Sequence, residues 1–200
     1  MTALGINARN SVIARRNPRR AIVDAKDKSV TKRRLAANGI PVPETLCEIH
    51  DGRELRRFDE SALPDQWVLK PSRGSGGRGV MVVIGALRSQ RAWATPGRVV
   101  SSKELRRHIT GILGGDHSTG DDDVALFEPL LQADPEIALL TRAGLPDIRI
   151  VCDGTTPLLA MARTLRAGVA AYVLLRAGDL DILIEFPNGQ VREHAGEEYD

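Results

Sequence analysis

Two hundred residues, 42% hydrophobic and 27% charged, suffice for a buried core and suit a soluble globular chain of one domain or two small lobes. No apolar run approaches the ~18 residues of a spanning helix, so no membrane partner is expected. The net charge of +2 is unevenly laid out, with ten Lys/Arg against two acids in residues 1–34 and seven acids against one arginine in residues 179–200.

The opening residues 1–7 lack the charged segment and apolar core of a signal peptide, which predicts a cytoplasmic protein. The basic arm suits either nucleic acid or a cleft for an anionic nucleotide or acidic substrate. Only 4% of the residues are aromatic, so a base-stacking platform is poorly supplied and the cleft is favoured. Residues 7–20 read as helical at most to Asn17, because the residue before Pro18 is pushed out of the α region. In residues 27–43, Val30, Leu35 and Ala36 fall near one helical face and Asn38-Gly39 is a C-terminal stop. Pro41 and Pro43 then keep the exit extended. Taken alone this is a basic surface helix, with Lys28 a solvated residue on it. Residues 45–49 read as a strand and 51–59 as a charged, helix-like connector. Cys47 and Cys152 have neither a CxxC partner nor metal spacing, and buried free thiols are expected.

Residues 67–84 carry the clearest local signal. Trp67-Val68-Leu69-Lys70 is a short apolar run that ends on a lysine, and Val80-Met81-Val82-Val83-Ile84 is a second one. Between them lies a loop holding Ser75, Arg78 and the glycines 74, 76, 77 and 79. Two such runs joined by a short loop predict a hairpin. Without Cβ atoms the glycines let backbone approach a bulky anion, and successive N–H groups can form an anion nest. Lys70 and Arg78 beside that nest favour a phosphate-binding flap over a mobile hairpin tip. Walker A loops and dinucleotide fingerprints both open a helix, whereas a strand follows here.

Residues 85–100, with Trp93 and Pro96-Gly97, suit an irregular or hairpin insertion. Ser101 stands three residues before Glu104, the spacing of a capping box. The helix it starts carries Leu105, Ile109, Ile112 and Leu113 and ends at Gly114-Gly115. His108 and His117 have no Cys or His companion at ligand spacing. Asp121-Asp122-Asp123 reads as a solvated turn rather than a cation site. Residues 124–131 read as a strand leaving into a linker. Residues 147–151 and 157–163 predict two antiparallel strands joined at Asp153-Gly154, with Asp147 and Arg149 on one face.

A strand, a lysine, a glycine flap and a second strand resemble the nucleotide-covering hairpin of the ATP-grasp superfamily. Asp27-Lys28, Thr31-Lys32 and Gly39-Ile40-Pro41-Val42-Pro43 upstream resemble the entry to such a domain. Gly5-Ile6-Asn7, Arg9-Asn10 and Asn17-Pro18-Arg19-Arg20 are similar to the alpha-L-glutamate ligase-like branch. The resemblance implies that Lys28 and Lys70 reach the nucleotide phosphates under Ser75, Gly76, Gly77, Arg78 and Gly79. It also implies that Glu128 meets the adenine edge, with Leu130 or Leu131 as an apolar wall; the alternative is an ordinary strand-end glutamate. Arg149 and Arg163 become candidates for the acyl-phosphate or γ-phosphate end, since guanidinium forks suit phosphate and carboxylate; a salt bridge of Asp147 with either is equally open. After Arg163 the resemblance fails. The Asn-Leu-His of the ligases is missing, and Glu185 and Asn188, the nearest match to their magnesium ligands, stand one residue too far apart. Magnesium needs oxygen ligands in near-octahedral geometry, and a hairpin with Pro187-Asn188-Gly189 at its tip is the simpler reading.

The expected fold is therefore α+β and ATP-grasp-like, with two lobes whose antiparallel sheets enclose a nucleotide cleft. A basic arm covers residues 1–25, a small lobe with the flap 26–125, and a partial, truncated or rewritten large lobe 126–200. The expected function is an ATP- and magnesium-dependent carboxylate–amine ligase working through an acyl phosphate, with small-molecule or peptide carboxylate and amine substrates. A catalytically inactive nucleotide-binding remnant and a basic nucleic-acid-binding protein are the alternatives.

Overall fold

A computed structural model describes residues 5–118, 122–135, 145, 147–154, 156–166, 169–175, 182–185 and 191–194. The chain divides into two compact units, Met1–Leu130 and Leu131–Asp200. Helices and antiparallel sheets together make it α+β, as the sequence predicts. Among the described residues no helix is long and apolar enough to cross a membrane.

The first unit opens with α1 (Ile6–Arg16), which stops before Pro18 as predicted. A helix that local patterning did not reveal, α2 (Arg19–Lys26), starts on the far side of that proline and buries none of its residues. Then α3 (Lys28–Ala37) begins at Asp27, whose carboxylate accepts from the Val30 N–H, and it closes at Gly39 in a left-handed conformation, φ +72°. The stripe of Val30, Leu35 and Ala36 buries little: Ser29 is the buried residue of α3. What holds this helix to the rest is polar.

An antiparallel sheet runs in the order β1 (Cys47–Ile49), β7 (Ala125–Pro129), β2 (Trp67–Pro71), β3 (Met81–Val83). Between β1 and β2 lies α4 (Gly52–Arg57), capped by Asp51, and a short 3-10 turn at Glu60–Ala62. The insertion after β3 is a three-stranded sheet of β4 (Gly85–Leu87), β5 (Ala92–Ala94) and β6 (Val99–Ser101). Then α5 (Ser102–Leu113) starts from a complete capping box. Ser101 Oγ accepts from Glu104 N–H, and Glu104 accepts from Ser101 N–H. Those bonds from Ser101, followed by Arg98, pull the Glu104 carboxyl down to about 2.

Side-chain alternation decides where the core lies. Along β2, Trp67, Leu69 and Pro71 are buried on one face, while Val68 and Lys70 take the other. The β2–β7 register sets Leu69 opposite Phe127 and Val68 opposite Glu128. Cross-strand partners share a face. Phe127 therefore joins Trp67 in the core, against Leu105, Ile109 and Ile112 of α5 and Trp93 and Val100 of the small sheet. Ring centroids lie 5.3 Å apart for Trp67–Trp93 and 5.2 Å apart for Trp67–Phe127 and Phe58–Phe127, at tilted or edge-on angles. Lys70 and Glu128 are left together on the opposite face of the same sheet.

In the second unit β8 (Asp147–Asp153), β9 (Thr156–Arg166), β10 (Val169–Leu175), β11 (Ile182–Glu185) and β12 (Val191–His194) form an antiparallel meander. The β8–β9 turn is where the sequence places it, with Gly154 at φ +62°. The cysteines correct the expectation of buried thiols. Cys47 is half-buried, and burial together with the charge of Glu48 pushes its thiol up to about 11. Cys152 is exposed, because it sits at an irregularity on β8, the edge strand of the meander.

Candidate functional site

On the face of the first sheet turned away from the core, Glu128 is buried to 4% exposure and shared by two lysines. Lys70 Nζ donates to its Oε2 at 2.5 Å, and Lys32 Nζ to its Oε1 at 2.7 Å. Lys32 was missed by sequence reasoning as a site residue. The signal was available, since Lys28 and Lys32 are four apart and so share one face of α3. One carboxylate takes one ammonium on each oxygen, and the helix is tied to the strand.

Lys28 completes the cluster in an unexpected way. Its ammonium donates to the carbonyls of Pro71 at 3.1 Å, Ser72 at 3.1 Å and Gly74 at 2.6 Å, the three points where the flap leaves β2. An ammonium has three hydrogens, so all are placed on main-chain oxygens. Burial, then the charge of Lys70, lowers the pKa of this group. The expected phosphate ligand is here a staple that shapes the root of the flap.

Beside it, Asp27 accepts from Val30 N–H and Ser72 Oγ–H through Oδ1, and from Arg73 through Oδ2. Burial alone would raise this carboxyl, but the bonds from Val30, Ser72 and Arg73 and the arginine's charge outweigh it and lower its pKa below the usual 3.8. A carboxyl depressed on folding contributes stability that is fully present above its unfolded pKa and is lost as pH falls through the folded value. The docking of α3 should thus weaken below about pH 4. Thermal unfolding followed between pH 3 and pH 6 should show this decline in the wild type and a flatter, lower curve in Asp27→Asn.

The flap is anchored at both ends and open in the middle. At its root Asp123, 3% exposed, accepts from the N–H groups of Arg73 and Val124, which corrects the expectation of a solvated turn for this aspartate. The reason is a long-range one: Ser72 N–H pairs with Val124 O and brings Asp123 under the loop. At the far end the His108 ring meets Gly79 O through Nε2 at 2.9 Å, and the His117 ring packs so closely that a Cβ on Gly79 would fall 2.5 Å from it. Gly76 and Gly77 have φ of +64° and +72°, with open space where a Cβ would stand. Among the described residues, no backbone acceptor takes the N–H groups of Ser75, Gly76, Gly77 or Gly79, and the Arg78 side chain is exposed. These N–H groups are free donors, and Lys28 at the root of the same loop adds a positive charge.

The other predicted residues are placed as follows. Leu130 is half-buried and, with Leu46, Ile84 and Pro129, lines an open hollow of about 730 Å³ whose wall also carries Asp65 and Gln66; Leu131 is exposed. Arg149 is exposed on β8 in the second unit, and the register sets Arg163 of β9 opposite Asp147. Glu185 is the last residue of β11, and Asn188 lies outside the described residues. Among the described residues no group of three or more His, Cys, Asp or Glu could hold a metal ion. The first unit therefore assembles Lys28, Lys32, Lys70, Glu128 and the flap amides. Two ammoniums on one buried carboxylate, a third at the root of the flap, and flap N–H groups that no backbone acceptor takes suit a polyanion.

A family model described as sugar-transfer associated ATP-grasp matches residues 7–199 of the chain. The match extends beyond Arg163, where the resemblance to the ligase pattern ends. No curated protein and no solved structure matches the chain.

Proposed function

Because the chain belongs to the sugar-transfer associated ATP-grasp family, we propose that it binds the triphosphate of ATP between the flap amides and the ammoniums of Lys32 and Lys70, with Lys28 shaping the flap root and adding its charge. The observation that carries this reading is Glu128 held by two lysines on the strand pair that leads into a loop of free glycine N–H groups. A triphosphate brings more negative charge to Lys70 than a carboxylate already shared with Lys32, and charge-assisted bonds to phosphate are short and strong. Adenine would lie against the hollow lined by Leu46, Ile84 and Leu130.

Within the superfamily we favour an alpha-L-glutamate ligase-like reaction, in which a carboxylate is activated as an acyl phosphate and attacked by an amine. ATP-grasp proteins generally use ATP with Mg2+, which would neutralise the transferring phosphate; Glu185 and Asn188 are the residues we assign to it. Arg149 and Arg163 would orient the carboxylate and the transferring group through bidentate contacts. The protein's part is positioning and charge neutralisation. A second reading, nucleotide binding without turnover, is favoured by Lys28, whose three donors are all given to the loop itself.

Calorimetric titration with ATP, with and without Mg2+, tests the shared core of both readings. Lys70→Ala should weaken binding roughly tenfold to a hundredfold, the worth of one charged hydrogen bond. Unchanged affinity in that variant overturns nucleotide binding at this site. Phosphate release that rises when carboxylate and amine are supplied selects the ligase; binding without release selects the second reading.

A further inference from the structure

A different cavity in the first unit, about 590 Å³ in volume, opens between the α4 connector and the β4–β5 hairpin. Phe58 and Trp93 contribute its flat apolar walls. Phe58 packs on Phe127 and Trp93 on Trp67, so the cavity lies on the core side of the first sheet, away from Lys70 and Glu128. The two sites face opposite ways.

Its four arginines fall into two kinds. Arg106 donates to the carbonyls of Leu55 and Phe58 and pairs with Glu60 at 2.6 Å. Arg88 bonds Leu63 O and pairs with Asp65 at 2.8 Å. These build the frame. By contrast, the guanidiniums of Arg57 and Arg91 meet no carboxylate or carbonyl among the described residues, although both line the cavity. Asp59, the remaining carboxylate there, accepts the N–H and O–H of Ser61. Arg91 is also held with φ +48°, a left-handed conformation in a non-glycine residue. Trp93 is 6% exposed, and its Nε1–H is buried without an acceptor.

We propose that this cavity is a second ligand site, for a small organic anion whose phosphate or carboxylate head is held by Arg57 and Arg91 while a flat apolar body lies on Phe58 and Trp93. Guanidinium forks match the paired oxygens of such a head, and a planar body suits an aromatic wall. The volume is that of a small-molecule pocket, and its wall mixes charged groups with the two aromatic rings, as an anion with a planar body requires. The site is independent of the nucleotide reading.

Phenyl phosphate and benzoate are the probes, titrated into the full chain and followed by calorimetry and by the fluorescence of its two tryptophans. At least one probe should bind saturably, and the stronger identifies the head group. The double variant Arg57→Ala/Arg91→Asn should weaken it roughly tenfold or more. Asn tolerates the left-handed backbone, and Arg57→Gln alone, at an exposed helix end, gives the same readout should the double variant not fold. Lys70→Ala should leave probe affinity unchanged, and the arginine variants should leave ATP affinity unchanged. Lack of saturable binding by both probes, equal affinity in the arginine variants, or loss of the probe in Lys70→Ala overturns the proposal.

Discussion

Trp67→Ala should lower the stability of the first unit by about 3–5 kcal/mol, the usual cost of emptying a buried aromatic site. Trp67 is fully buried and touches the rings of both Trp93 and Phe127, so its removal opens a cavity that three elements would have to collapse to fill. A domain of ordinary stability has only about 5–15 kcal/mol in hand. Thermal unfolding followed by circular dichroism should shift down by roughly 10–20 °C. Trp67→Phe is the informative companion. The indole Nε1–H of Trp67 is itself buried without an acceptor, so phenylalanine removes an unsatisfied donor along with some volume. Its cost should be under about 2 kcal/mol. If both variants unfold at the same temperature, the aromatic cluster is not what holds the sheet to α5. ATP affinity should fall in step with stability in Trp67→Ala, because Lys70 rides on the same strand three residues away.

How far this could be read beforehand depends on the range of the interactions. The flap and its flanking strands, the capping box at Ser101 and Glu104, the stop at Asn38-Gly39 and the turn at Asp153-Gly154 are local, and each is written into a few adjacent residues. The helix α2 escaped because it is only eight residues long, follows Pro18 directly and buries none of its residues, so two turns of pattern had no length in which to register. The insertion after β3 was legible as an irregular or hairpin segment but not as a three-stranded sheet, because its strands are three residues each, too short for a period to register. Misread too were residues whose setting is decided by distant partners. Asp123 looked solvated beside two other aspartates, until the pairing of Ser72 with Val124 brought it under the flap. Glu128 could be marked as a candidate, but its sharing by Lys32 and Lys70 follows from β7 inserting between β1 and β2. Arg57 and Arg91 are far apart in a chain rich in arginine, and nothing local joins them to one cavity.

Glu128→Gln should act on stability and on anion binding in opposite directions. The carboxylate neutralises two lysines whose side chains are 13% and 23% exposed, Lys32 and Lys70 respectively. Removing one partner from a fully buried ion pair costs about 3–5 kcal/mol, chiefly because the remaining charge is left uncompensated. Here both ammoniums can reach some water, so a loss of about 2–3 kcal/mol is expected, read as a lower urea midpoint with the slope unchanged. The same change frees two cations beneath the flap. Inorganic tripolyphosphate, which has no base to recognise, should therefore bind the variant more tightly than the wild type, by roughly tenfold for one added charged contact. Saturating tripolyphosphate should then restore much of the lost stability, since a ligand that binds only the folded chain stabilises it in proportion to the logarithm of its concentration over Kd. A variant that loses stability without gaining affinity would mean that Glu128 and its lysines are a structural clamp, and that the phosphates lie elsewhere. A gain for tripolyphosphate with no gain for ATP would mean that Glu128 also contacts the base.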